Sequence, residues 1–95
     1  MKGFVLSPAA ATDIDKIWDY TARRWDMDQA DQYTDTIRYA CHALASGIRK
    51  GRKVEVRSGY MKYVVGSHLI YFKEEPGQII VVRVLHGRMD AELHL

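Results

Sequence analysis

Residues 79–90 read Ile79-Ile80-Val81-Val82-Arg83-Val84-Leu85-His86-Gly87-Arg88-Met89-Asp90, or IIVVRVLHGRMD, the most strand-like run in the chain. A strand over Gln78 to Leu85 follows from its β-branched content. By strict alternation Ile80, Val82 and Val84 share one face, assigned to the core, and Ile79, Val81, Arg83 and Leu85 share the other. That second face is mostly apolar and points to a partner, because contiguous apolar surface often marks a binding site. His86, Gly87, Arg88 and Asp90 end the run. Acid–base chemistry there requires two groups aimed at one reacting atom, which spacing does not establish. His86 follows the parity of Val84, so it is assigned a structural place under the sheet.

Upstream, Glu75-Pro76-Gly77 and Gly66-Ser67 supply turns, and Leu69 to Lys73, Tyr60 to Val65, and Val54 with Val56 supply shorter strands. Phe4-Val5-Leu6 is able to join them. The period changes to helical between Pro8 and Ile48. Ser7-Pro8 is a helix start, since serine caps open N–H groups and proline suits the first helical position. Helix one spans about Pro8 to Trp25, with Ala10, Ile14, Ile17, Trp18, Thr21 and Trp25 as its buried stripe and Asp13 assigned to the acidic outer surface. Asp26 to Gln29 forms a capping box opening a second helix whose stripe is Ala30, Tyr33, Ile37, Ala40, Cys41 and Leu44, released at Gly47. The expected fold is α+β: an N-terminal strand and an antiparallel helical hairpin packed on a small, mainly antiparallel twisted sheet, one domain over residues 1–95.

The composition narrows function mostly by exclusion. There is no glycine-rich phosphate loop, serine elbow, HExxH or paired carboxylate motif. His42, His68, His86 and His94 are scattered, so neither a metal nor a cofactor is expected. Cys41 has no disulfide partner and fits a reducing compartment as a small core residue. The start MKGFVLSPAA is too short in apolar character for a signal peptide, and no run is long enough to span a bilayer, so no membrane association and a cytoplasmic location are expected. Charge is unevenly placed: residues 49–73 hold seven basic side chains against one acidic, while both flanks are net acidic. Such a block attracts phosphate or an acidic peptide, or is a solvated turn and edge strand. Tyr60, Tyr63 and Tyr71 lie in it, read chiefly as cross-strand packing. Trp18 and Trp25 are read as core aromatics, and the acidic helix surface argues against nucleic acid on that side.

The opening Leu6-Ser7-Pro8-Ala9-Ala10, then Ile17-Trp18-Asp19-Tyr20, Arg57-x-Gly59-Tyr60, Gly66-Ser67-His68 and the closing His86-x-Arg88-Met89-Asp90 together carry a likeness. Over essentially its whole length the chain resembles the ParE-type toxins of bacterial toxin–antitoxin systems, in the RelE/ParE fold group. The resemblance implies a toxin poisoning DNA gyrase, held in a hetero-oligomer by a cognate ParD-like antitoxin, acting without being an enzyme and with room for an indirect DNA contact. On that reading the outward strip of Val81 and Leu85 with Arg83 is assigned to the antitoxin, and the basic and C-terminal residues Arg57, Lys62, Arg83, Arg88 and His94 to the target. Trp18, Trp25, His86 and Asp90 are expected to be structural, Asp90 by anchoring Arg88 or His86. The sibling RelE branch cleaves messenger RNA on the ribosome, with lysines mapping near Lys50 and Lys53, a strand arginine at Met61, a later arginine at Arg88 and a terminal aromatic position near His94. Met61 departs from that pattern, since a thioether cannot supply a charged donor to a phosphate.

Overall fold

The computed structural model describes residues 3–95. In chain order these form β1 (Gly3–Leu6), α1 (Pro8–Arg24), α2 (Met27–Ser46), β2 (Arg52–Lys53), β3 (Met61–Val65), β4 (His68–Glu75), β5 (Gln78–His86) and the short α3 (Ala91–His94). The architecture is α+β, with a five-stranded sheet in the order β1-β5-β4-β3-β2. β1 runs parallel to β5, and the other neighbours are antiparallel. The helical hairpin covers one face.

Both helix starts follow from their caps. Ser7 Oγ accepts from the Ala10 amide at 3.0 Å, and Asp26 Oδ1 accepts from the Gln29 amide at 2.7 Å, each satisfying an N–H left open by the first turn. Gly47 closes α2 in the left-handed region at φ 81°, where a side chain would be strained. With only Trp25 and Asp26 between them, the helices fold back antiparallel and bury Ala10, Ile14, Ile17, Ile37, Cys41 and Leu44 against the sheet. Burial pushes the Cys41 thiol up to about 12, so it is inert packing. Trp25 leaves the expected stripe and is 63% exposed. It is the C-cap residue of α1, at φ −123° and ψ −97°, so its backbone has already turned off the helical path. Trp18 is half-buried, its Nε1–H donating to Asp31 Oδ1 at 2.8 Å across the hairpin.

The last strand departs from simple alternation. Phe72 pairs with Val81 but the preceding Tyr71 pairs with Arg83, so Val82 is an extra, unpaired residue, a β-bulge. One inserted residue resets the parity of everything after it. Ile79, Val81 and Val84 therefore all face the helices, whereas Ile80 and Val82 are only half-buried. This corrects the assignment of Ile80 and Val82 to the core and of Val81 to an outward strip: Val81 is fully buried. Leu85 does lie on the far face, but it is 1% exposed, in a second cluster with Val54, Tyr71, Tyr60, Leu69, Ala91 and Leu95. The chain after Asp90 folds back as α3 and covers that face. Asp90 is structural by capping α3, its Oδ1 accepting from the Glu92 amide at 2.9 Å, instead of by anchoring Arg88 or His86. Val56, expected beside Val54 in a strand, is exposed in the loop after β2. No helix among the described residues is long and apolar enough to cross a membrane.

Candidate functional site

Three groupings of polar side chains stand out. The first is internal. Asp13 lies on the buried side of α1, not on its outer surface as expected, and takes Arg83 with both carboxylate oxygens, from Nε at 2.7 Å and Nη2 at 2.8 Å. The same carboxylate accepts the Val84 amide at 3.0 Å, and Ser7 Oγ donates to the Val82 carbonyl at 2.6 Å. The bulge frees these backbone groups from the ladder, and α1 with its cap takes them up. The hydrogen bond to Asp13 raises the Arg83 pKa further, and Arg83 Nη1 also donates to the His94 carbonyl at 3.2 Å. Arg83 thus ties α1, β5 and α3 together, and its charge is neutralised within the chain. That argues against the outward antitoxin and target roles expected for it.

The second grouping joins α2 to the ends of β4 and β5. Tyr33 Oη lies 2.6 Å from His68 Nδ1 and accepts the Ser67 amide at 3.2 Å, while the His68 and His86 rings meet edge to face at 5.3 Å. Tyr33 Oη also reaches the Val65 carbonyl at 3.4 Å, so the tautomer of His68 sets whether the phenol donates to Nδ1 or accepts from it while donating to Val65. Gly66 makes this possible: a Cβ there would stand 2.8 Å from the Tyr33 oxygen. His86 accepts the Arg88 amide on Nδ1 at 3.1 Å, consistent with its structural place. Burial, then the neighbouring His86, lower the His68 pKa from 6.5, partly opposed by Asp13. A histidine whose folded pKa is depressed binds its proton more readily unfolded, so its contribution is fully present above pH 6.5 and is lost as pH falls through the folded value. Urea unfolding of the wild type is therefore expected to show lower stability at pH 5.5 than at pH 7.5, by a difference that shrinks in His68→Gln. Equal pH dependence in both chains would show that the pair is indifferent to protonation.

The third grouping is the basic block. Arg52 on β2 stands directly across from Lys62 on β3, and the pair borders two open cavities of about 320 and 530 Å³. Arg57 and Lys73 both lie over the Tyr60 ring, at 5.4 and 5.5 Å, and Arg49 Nη1 donates to Tyr63 Oη at 2.7 Å. Among the described residues the ion pairs are Arg38–Asp35 and Arg83–Asp13, so no side chain of this block is held in an ion pair, although Glu55 and Glu74 border its cavities. Burial raises the Tyr71 pKa, so this phenol keeps its proton.

The expected site residues are distributed accordingly. Arg57 and Lys62 belong to the basic face, Arg83 is internal, Arg88 is exposed in the turn after β5, and His94 borders a cavity of about 270 Å³ with Lys16 and Met89. Met61 packs against the core on the helix side, whereas Lys62 takes the far side, so Met61 is a packing choice. Asp13, Tyr33 and His68 are not among the expected site residues. Asp13 had a signal, being one turn from Ala10 and Ile17 on the apolar stripe, but Tyr33 looked like ordinary core.

Comparison with known proteins agrees with this organisation. Residues 4–91 match the family model described as the ParE toxin of the type II toxin–antitoxin system parDE. The chain is 44% identical over 94 residues to Toxin ParE1 of Mycobacterium tuberculosis (strain ATCC 25618 / H37Rv), covering 97% of this chain and 96% of that one. It is 33% identical over 96 residues to Toxin ParE1 of Caulobacter vibrioides, covering 100% and 99%. Among solved structures, a chain of the chromosomal ParDE system from P. aeruginosa superposes with a TM-score of 0.78 at 19% identity, over 90% of this chain and 95% of that one. A chain of the RelBE2 toxin–antitoxin complex from Mycobacterium tuberculosis gives 0.61 at 14%, over 90% and 96%. These two likenesses concern the fold. The sequence matches go further: the chain belongs to the ParE toxin family of type II toxin–antitoxin systems.

Proposed function

We propose that this toxin acts on DNA gyrase as a non-enzymatic ligand in the cytoplasm and is neutralised by a ParD-like antitoxin. Family membership supports the target. The observation that carries the non-enzymatic half is the dispersal of the RelE-type groups: Lys50 borders the trough beside Lys62, whereas His94 borders the cavity beside Lys16 and Arg83. Proton transfer and phosphate stabilisation need one shared atom, and Lys50 and His94 border different cavities. With Val81 and Leu85 buried, the antitoxin is assigned instead to the exposed Tyr20, Trp25 and Met27 around the hairpin turn, beside a cavity of about 260 Å³ reaching Tyr33 and His86.

The test sets purified toxin with gyrase, plasmid DNA and ATP beside a translating ribosome reaction, each with and without the antitoxin expressed from the adjoining reading frame. Accumulated cleavage complex with intact messenger is expected, and cut messenger with unaffected gyrase would refute the reading. Trp25→Ala should stay active yet need at least about tenfold more antitoxin for neutralisation, as loss of an aromatic anchor typically requires. An unchanged requirement would remove the hairpin surface from the interface.

A further inference from the structure

The cross-strand pair Arg52 and Lys62 is an odd pairing for a sheet. Like charges directly opposite one another destabilise a ladder, and among the described residues neither cation is held in an ion pair, Glu55 only bordering one of the cavities they share. Charged residues at a sheet edge discourage unwanted strand pairing, but that purpose needs neither two cations face to face nor an aromatic setting. The setting here is specific. The pair forms a ridge between two open troughs, one with Val54, Glu55, Val56 and the buried Tyr71 in its lining and the other with Val64 and Leu69, Tyr63 there packing toward the helix side. Lys50 borders the second trough, and Tyr60, overlain by Arg57 and Lys73, lies two residues before Lys62.

A cationic ridge with apolar troughs on either side and the Tyr60 ring on the same face has the pattern of a nucleotide chain, in which a charged phosphate separates flat rings. An acidic protein surface would use the cations but would leave the flanking troughs without a counterpart. We propose that this face binds DNA directly, with one backbone phosphate between Arg52 and Lys62 and the adjoining nucleosides in the two troughs. The choice of DNA rests on the gyrase reading, under which the toxin meets DNA held open by the enzyme. The binding itself requires no gyrase, so the two are separable.

The experiment uses fluorescence anisotropy of a fluorescein-labelled DNA oligonucleotide of about 20 nucleotides, single-stranded and duplex, titrated with the full-length toxin alone. An RNA of the same sequence and polyglutamate serve as competitors. Affinity should fall with salt, with a log–log slope of about −0.7 to −0.9 for each phosphate contacted. The double variant Arg52→Gln/Lys62→Gln should bind roughly tenfold more weakly and flatten that slope by about 2, while Arg23→Gln on the exposed surface of α1 should bind as wild type. Removing the like-charge pair should leave the melting temperature unchanged or higher, which guards against misfolding. Equal affinity of wild type and double variant would overturn the proposal, as would equal competition by polyglutamate or a tenfold preference for RNA. Lost DNA affinity with unaltered gyrase poisoning would detach the face from toxicity and overturn its assigned role. Specific DNA binding without any effect on gyrase would support the site and defeat the gyrase reading alone.

Discussion

Asp13→Ala is expected to lower the melting temperature of this toxin by roughly 12 °C or more, because removing one member of a largely buried ion pair costs about 3 kcal/mol in a domain of this size. The Asp13 and Arg83 side chains are only 10% and 22% exposed, so water cannot replace the lost carboxylate well. The change leaves the Arg83 guanidinium without its counter-charge and the buried Val84 amide without its acceptor. Thermal unfolding followed by circular dichroism measures it. Asp13→Leu/Arg83→Met should recover much of the loss, since an apolar replacement leaves no stranded charge. A loss below about 1 kcal/mol in Asp13→Ala would mean that the clasp is worth no more than a surface salt bridge.

The second large effect is at Leu85. As a residue of the far-face cluster it should cost about 3 kcal/mol when replaced by alanine, the usual penalty for emptying a buried leucine site. An exposed strip residue would change stability by less than about 0.5 kcal/mol. Leu85→Asp should be worse, because an ionised carboxylate would be held among Val54, Tyr71 and Leu95. Urea unfolding decides between the two pictures. If both variants unfold like the wild type, α3 does not cover this face in solution, and Leu85 returns as a surface for partners.

The helices were legible because their signals are local: Ser7-Pro8, Asp26 to Gln29 and Gly47 each act within one turn of chain. The strand faces were not, and the cause is a single residue. Val82 has the same β-branched side chain as its neighbours, so nothing in its identity announces a bulge, yet it reverses the facing of residues on either side. The covering of Leu85 was hidden for a different reason. It depends on Ala91 and Leu95 returning over the sheet, a tertiary event with no periodicity to reveal it. Of the candidate site, the basic block showed in the charge distribution alone, and Arg57 and Lys62 do lie on one face. Arg83 could have been read correctly from two anomalies taken together, a base inside an apolar strand and an acid on an apolar helical stripe.

The bonds that secure the bulge also set a timetable for folding. Ser7 and Asp13 bond to Val82, Arg83 and Val84, partners 70 to 75 residues further along the chain. Contacts so distant in sequence close late, since the intervening loop must lose its freedom before they return any stability. On a translating ribosome the helical hairpin can pair with itself early, but it has no β5 to settle on until nearly all the described chain has been made. The toxin's own topology therefore keeps each nascent copy without a completed core through most of its synthesis, an interval in which a waiting antitoxin meets an unfinished protein.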